Sequence, residues 1–312
     1  MIEVKHLRLL KALGEHGSMS AAARELGYSQ SAVTQQVQLL ERQLETPLLV
    51  RSRAGVRLTP AGEVLVRHGA SVLASIALAE AEVDAVAGLR SGRVRISAFP
   101  SAAATILPRA LGSVAREHPG VSFTLTEAEP PAALELLRSG ACDIALTFEY
   151  VTAGVTEPTR FPLQADEVGT RLLEENVRVA MPADHVLAGE RWVTLDALEE
   201  SRWIAGCPEC RGNLVDACDR AGFVPDVAFE TDDYIALQGL ASAGLGVALV
   251  TDLMLTASRP DPLLVLKDLA PQSRRVVSAV STISLLGVPG VRETIQALRA
   301  AAVDISDLVP QV

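Results

Sequence analysis

Residues 18–63 read SMSAAARELGYSQSAVTQQVQLLERQLETPLLVRSRAGVRLTPAGE. Ser18 stands where a helix cap belongs, ahead of a short helix, MSAAARELG, whose small side chains permit close packing. Gly27 ends that helix, and Ser29 can cap the next one. There Val33, Val37, Leu40 and Leu44 recur at spacings of 4, 3 and 4, which marks a buried side. Gln30, Ser31, Thr34, Gln35 and Gln38 fall on the opposite side, beginning at Ser29. That side is uncharged but rich in amides and hydroxyls, the groups that base edges in a major groove require, glutamine pairing best with adenine. Upstream, Val4, Leu7, Leu10 and Leu13 give a first helix one apolar face, and Gly17 closes it. A helix, a tight glycine turn and a polar-faced second helix predict a helix-turn-helix. The same residues also fit an ordinary three-helix corner with a solvated glutamine face.

The residues that follow favour the first reading. Leu48–Arg51 and Val56–Leu58 are short extended runs around the turn Ser52–Gly55, a hairpin with Arg51, Arg53 and Arg57 near its tip. A basic wing beside a recognition helix is a phosphate or minor-groove contact. Taken together, residues 18–63 resemble the N-terminal signature of LysR-type transcriptional regulators. The matching features are the alanine-rich helix, the Ser29-Gln30-Ser31-Ala32-Val33-Thr34 start of the recognition helix, Leu40-Glu41, Pro47-Leu48, Arg51, and Leu58-Thr59-Pro60-Ala61-Gly62. Two departures stand out. The family often has Phe near Leu49, and Arg where Gln35 stands, so the DNA contact here is expected to be more amide-based.

From Thr59 to about Leu89 no proline follows Pro60. Leu65, Val72, Ala79 and Val86 repeat every seven residues, as do Gly69, Ile76 and Val83 on the adjacent row. Two apolar rows at heptad spacing predict a coiled-coil seam, although a long helix packed on its own body would show the same rows. The resemblance implies a homodimer through this helix and a homotetramer of such dimers. Gly88 and Ser91-Gly92 are expected to end the helix as a hinge.

Beyond Gly92, strand-like and helix-like segments alternate, which predicts a parallel sheet with crossover helices. Strands are expected at 94–98, 121–126, 143–147, 177–181, 203–205, 227–230, 247–250 and 276–284, and helices at 101–114, 131–139, 214–221, 234–243 and 291–303. This pattern resembles the two-lobed, periplasmic-binding-protein-like effector domain of the same family. The expected organisation is an α/β chain with a winged head: a winged helix-turn-helix over 1–58, a linker helix and hinge over 59–91, and an effector domain over 92–312. Within that domain, lobe one would take 92–163 and 268–304, and lobe two 164–267. Ligands in such sheets bind beyond the carboxyl ends of strands, where helix N-termini offer free amides. Pro100, Ser101, Ala102, Thr147, Phe148, Gly206, Cys207, Thr231 and Asp233 are therefore the expected effector contacts, with a plain helix cap as the competing role for Asp232 or Asp233.

Cys207-Pro208-Glu209-Cys210 follows a strand and opens a helix, the setting of thiol redox motifs, so a redox-sensing regulator is the competing function. Zinc lacks a ligand set: Cys142 is remote, Cys218 falls inside a helix, and the nearest histidine is His185. No metal and no cofactor is expected. There is no GxSxG, no GxGxxG after a strand, no P-loop and no HExxH, and no histidine is placed to activate a nucleophile, so an enzyme is not expected.

Composition agrees with a protein that meets phosphate at one end only. The 312 residues carry a net charge of −10, yet residues 1–60 hold eight Lys/Arg against five Asp/Glu. Hydrophobic residues make up 49% and aromatics only 4%, so Ala, Leu and Val must fill the cores. The N-terminal MIEVKHLRLL is not read as a signal peptide, and no apolar run approaches the roughly 20 residues of a membrane span. A cytoplasmic protein with reduced cysteines, bound to double-stranded DNA and to a small effector but to no membrane, is expected.

Overall fold

The computed structural model describes residues 2–52, 55–86, 92–152 and 160–306, and the side chains of 82, 84–86 and 304–306 are not among them. Arg53, Gly88, Ser91 and the side chain of Val86 thus lie outside the described residues. The chain forms two compact units, Met1–Gly88 with Glu135–Cys142, and Leu89–Leu134 with Asp143–Val312.

In the first unit, α1 (Val4–His16), α2 (Met19–Leu26) and α3 (Gln30–Leu44) precede a hairpin of β1 (Leu49–Ser52) and β2 (Gly55–Leu58), and α4 (Pro60–Val86) follows. Each helix boundary has a local cause. Ser18 Oγ accepts from the Ala21 amide, Ser29 Oγ accepts from the Ala32 amide at 3.2 Å, and Gly17 and Gly27 take left-handed φ angles. Leu10, Leu13, Val33, Val37 and Leu40 are fully buried in one shared core. The wing is tied down on both sides. Glu41 Oε1 accepts the Leu48 and Leu49 amides at 2.8 and 3.1 Å, and the Val56 amide donates to Gly17 O at 2.8 Å. Thr59 Oγ1 donates to Pro47 O and accepts from the Gly62 amide. At Gly62 a Cβ would lie 2.4 Å from Leu48 O, so the Thr59-Pro60-Ala61-Gly62 run locks helix α4 against the wing.

The linker corrects two expectations. Leu65 packs on the core of its own head, and a Cβ on Gly69 would meet Leu7 at 3.2 Å, so these two seam positions are already engaged within the chain. Farther along, Val72 and Val83 are 45% and 65% exposed. Secondly, Pro60–Ala81 is a 22-residue helical stretch with mean hydropathy 1.4, long and apolar enough to cross a membrane. Alanine and valine between widely spaced charges raise the mean without any unbroken apolar run, which is why the sequence did not flag it.

The second unit is built on a nine-stranded mixed sheet in the order β4-β3-β5-β11-β6-β10-β8-β9, with β7 beside β11. Its strands are β3 (Gly92–Ala98), β4 (Val121–Glu127), β5 (Ile144–Thr152), β6 (Glu167–Pro182), β7 (Trp192–Val193), β8 (Arg202–Ala205), β9 (Asp226–Glu230), β10 (Val247–Thr251) and β11 (Leu264–Thr282). Its helices are α5 (Pro100–Ala104), α6 (Ile106–Glu117), the first half of α7 (Pro130–Arg138, which passes into the first unit at Glu135), α8 (Pro208–Ala221), α9 (Tyr234–Ser242), α10 (Asp252–Thr256), α11 (Ile283–Leu286) and α12 (Pro289–Ser306).

The strands β4, β3 and β5 are mutually parallel, as are β9, β8 and β10, which matches the crossover expectation for each lobe. The long strands β6 and β11 correct it. They pair antiparallel with each other, β11 pairs antiparallel with β5, and β6 with β10. Both strands run through both lobes, with a register shift between Asp268 and Ser273. Residues 167–175 pair with the part of β11 that borders β5. Only the apolar stretch 177–181 of β6 betrayed a strand, because charged residues fill the rest. The single helix expected over 101–114 is instead two, broken at Thr105, whose backbone leaves the helical region and whose hydroxyl donates to Ser101 O at 2.6 Å.

Candidate functional site

On the head, Ser29, Gln30, Ser31, Gln35 and Gln38 are exposed along one face of α3 and Thr34 is half-buried. Gln30 Oε1 accepts from Ser20 Oγ at 3.0 Å, and the Ser29 and Ser31 hydroxyls lie 2.9 Å apart. The Gln30 amide oxygen is thus held at the start of the helix. Arg51 and Arg57 are exposed on the wing. The face offers amides and hydroxyls flanked by guanidinium groups, the donor set that reads base edges and clamps phosphates.

In the second unit, a cavity opens where strand ends of the two lobes converge. Six of the expected contacts line it: Pro100, Ser101, Phe148, Gly206, Cys207 and Thr231. Ala102 and Thr147 do not. Ala102 is wholly buried in the first turn of α5, and Thr147 faces Ser278 in the sheet. Asp233 caps α9 through the Ile235 and Ala236 amides at 2.8 and 3.2 Å, while its neighbour Asp232 lines the cavity.

The main residue missed by sequence reading is Arg275. It is 1% exposed, and its guanidinium sits 5.0 Å from the Phe99 ring and 4.7 Å from the Phe148 ring. It donates to Glu175 Oε1 at 2.6 Å and to Ser101 Oγ at 3.0 Å. The Ser101 hydroxyl, although it lines the cavity, is therefore already engaged. Glu175 also accepts the Leu253 amide at 2.7 Å. Burial raises the Glu175 carboxyl against the pull of Arg275 and that amide, and Glu175 and Tyr150 hold Arg275 charged although burial opposes it.

The cysteines meet at the same place. Cys207 Sγ caps α8, accepting the Cys210 amide at 3.3 Å, and Tyr150 Oη donates to Cys210 Sγ at 3.5 Å. Hydrogen bonding from the Cys207 thiol lowers the Cys210 thiol despite its burial, with Tyr150 and Arg275 adding to the effect, and Cys207 is raised in turn. Cys218 is simply pushed up to about 12 by burial. Among the described residues no group of three or more His, Cys, Asp or Glu side chains could hold a metal ion. Glu129 completes the wall. Its Oε2 is buried without a hydrogen-bond partner.

Comparison with known proteins agrees with this two-site organisation. Residues 4–63 match the family described as bacterial regulatory helix-turn-helix protein, lysR family, and residues 87–303 match the LysR substrate binding domain. The transcriptional dual regulator GltC of Bacillus subtilis is 29% identical over 89% of this chain and 90% of its own length. The HTH-type transcriptional regulator ShiR of Corynebacterium glutamicum is 34% identical over 80% of this chain and 83% of its own. A variant of full-length OxyR from Pseudomonas aeruginosa shares the fold with a TM-score of 0.69 at 20% identity, covering 100% of this chain and 99% of that one.

Proposed function

The chain belongs to the LysR family of bacterial transcriptional regulators, and from that premise we propose how its sites divide the work: the head reads operator sequence, and a small effector bound in the inter-lobe cleft changes how it does so. The observation that carries the second half is the convergence on one cavity of Ser101 and Phe148 from lobe one with Gly206, Cys207 and Thr231 from lobe two. A ligand touching both lobes fixes the angle between them. The domains follow as a winged head, the linker helix, and an effector domain whose lobes exchange within β6 and β11. The protein acts as a regulator rather than an enzyme, on chromosomal DNA in the cytoplasm.

In the head, Gln30, Ser31, Thr34, Gln35 and Gln38 address base edges, Ser29 caps the helix that carries them, and Arg51, Arg53 and Arg57 hold phosphates. The apolar positions Val72, Ile76, Ala79 and Val83 on the linker helix are the dimer seam. Only 6% of the apolar stretch of that helix is buried within the chain, which suits a second copy, and tetramers would form from such dimers. Selection of operator duplexes from random sequence tests the head. Gln35→Ala is expected to lose about 1–3 kcal/mol of discrimination at one base position. Arg51→Ala is expected to weaken all sites alike and to lower the salt slope by about 1. Equal losses on every sequence for both variants would contradict the assignment.

A second reading is favoured by the hydrogen bonds around Cys210. A lowered thiol beside a second thiol, both bordering the cavity, is poised to lose two electrons and two protons to an oxidant and close a Cys207–Cys210 disulfide. Diamide would then change operator binding with no metabolite present, and Cys207→Ser would be blind to it. A diamide response that persists in Cys207→Ser excludes this reading.

A further inference from the structure

The charges around the cleft are unevenly answered. Arg275, the one cation lining it among the described residues, is committed to Glu175 and Ser101 and covered on its faces by Phe99 and Phe148. The nearby Arg211 pairs with Glu230 at 3.2 Å, and Arg160 pairs with Asp216 and Glu209. Neither of the two carboxylates lining the cavity makes an ion pair among the described residues. Glu129 Oε2 is buried with no hydrogen-bond partner, and Asp232 makes no ion pair among the described residues. Leu237, Met254 and Phe148 supply an apolar wall beside them.

We propose that the cleft binds a small effector that carries a protonated amine, with its ammonium against Glu129 and its carbon chain on the Leu237–Met254 wall. This rests on the cleft being the effector site. A buried carboxylate oxygen without a partner is costly, and an ammonium brings donors and the opposite charge to it. An anionic effector would instead bring its charge up to Glu129 and Asp232, while the guanidinium that could answer it is already held by Glu175. Burial raises the Glu129 carboxyl against the pull of Cys207 and Arg275, with Asp232 and Glu209 adding to the rise; a bound ammonium would lower it.

The test uses the full-length chain and three probes of equal size, butylammonium chloride, sodium butyrate and butanol, at matched ionic strength in thermal melts. Butylammonium is expected to raise the melting temperature saturably, and butyrate and butanol are not. Glu129→Gln, which keeps the shape of the side chain, is expected to weaken butylammonium binding about 10- to 100-fold, as loss of a hydrogen bond to a charged group does. Asp232→Asn, at the cavity rim, is expected to weaken it less. The variant's own cooperative melt checks that it folds. No stabilisation by butylammonium, or undiminished binding in Glu129→Gln, overturns the proposal. Stabilisation by butyrate alone also overturns it, while leaving the cleft reading in place. A Gly206→Leu variant that still binds butylammonium as wild type moves the site out of the cleft and overturns both.

Discussion

Arg275 and Glu175 are direct cross-strand partners on β11 and β6, and their side chains meet at 2.6 Å in a site where both are almost wholly buried. The pair joins the two strands that link the lobes, and through Ser101 and the Phe99 and Phe148 rings it also organises the cleft wall. Leaving a buried charge without its partner costs about 3–5 kcal/mol. Glu175→Ala is expected to lose that much in urea denaturation, whereas Glu175→Leu combined with Arg275→Met recovers most of it. A double variant no more stable than Glu175→Ala would contradict this account.

Glu129 predicts a pH dependence of stability. Its carboxyl is raised in the folded protein, chiefly by burial, so the folded state binds more protons than the unfolded state just above the ordinary carboxylate range. Stability through this group therefore falls as pH rises through that window. Glu129→Gln is expected to remove that slope and to be more stable than wild type at neutral pH. Parallel melting-temperature profiles for the two proteins between pH 4 and 7 would contradict the prediction.

The head is more tightly specified. A Cβ at Gly62 would lie 2.4 Å from Leu48 O, and backbone is what must move. Gly62→Ala is expected to destabilise the head by about 1–3 kcal/mol, as overpacking does, and to loosen the wing against the linker. Thermal unfolding of the full chain, together with operator affinity, measures both effects. A variant as stable as wild type would show that the contact relaxes freely.

Val83 tests the seam. Substituting Asp there would place an uncompensated charge in an apolar interface, at a cost of several kcal/mol, while the monomer keeps its fold because Val83 is 65% exposed. Sedimentation is expected to show a smaller assembly for Val83→Asp. An unchanged oligomer would place the interface elsewhere.

What the sequence revealed was local. Ser18, Gly27 and Ser29 declare themselves within a few residues, so the helices of the head were legible almost to their ends. The cleft was legible only where a strand hands over to a helix, as at Pro100-Ser101 and Gly206-Cys207. Arg275 and Glu175 escaped because their partners lie far along the chain: the Arg275 bond to Ser101 joins residues 174 apart. A signal was present. Ser273, Arg275, Val277 and Ala279 alternate inward along β11, and Leu173, Glu175 and Val177 do so along β6. A charge at an inward register position is a buried charge in search of a partner. Glu129 gave no such signal, since it sits between β4 and α7 and only the folded chain brings it to Cys207. The break of the α5–α6 segment at Thr105 did carry a signal: Pro108 has no amide to donate to the Ala104 carbonyl, and its ring clashes there.

The central claim is that occupancy of the cleft alters DNA binding by the head. The most direct measurement is the operator affinity of the full-length protein with and without the small-molecule fraction of a cell extract, compared with Gly206→Leu. At Gly206 a Cβ would sit 3.1 Å from Cys210 Cβ, so the added side chain must project into the cavity. The account predicts that the extract shifts wild-type affinity or the length of DNA protected, and that Gly206→Leu binds the operator normally but does not respond. A Gly206→Leu protein that responds as wild type would contradict it.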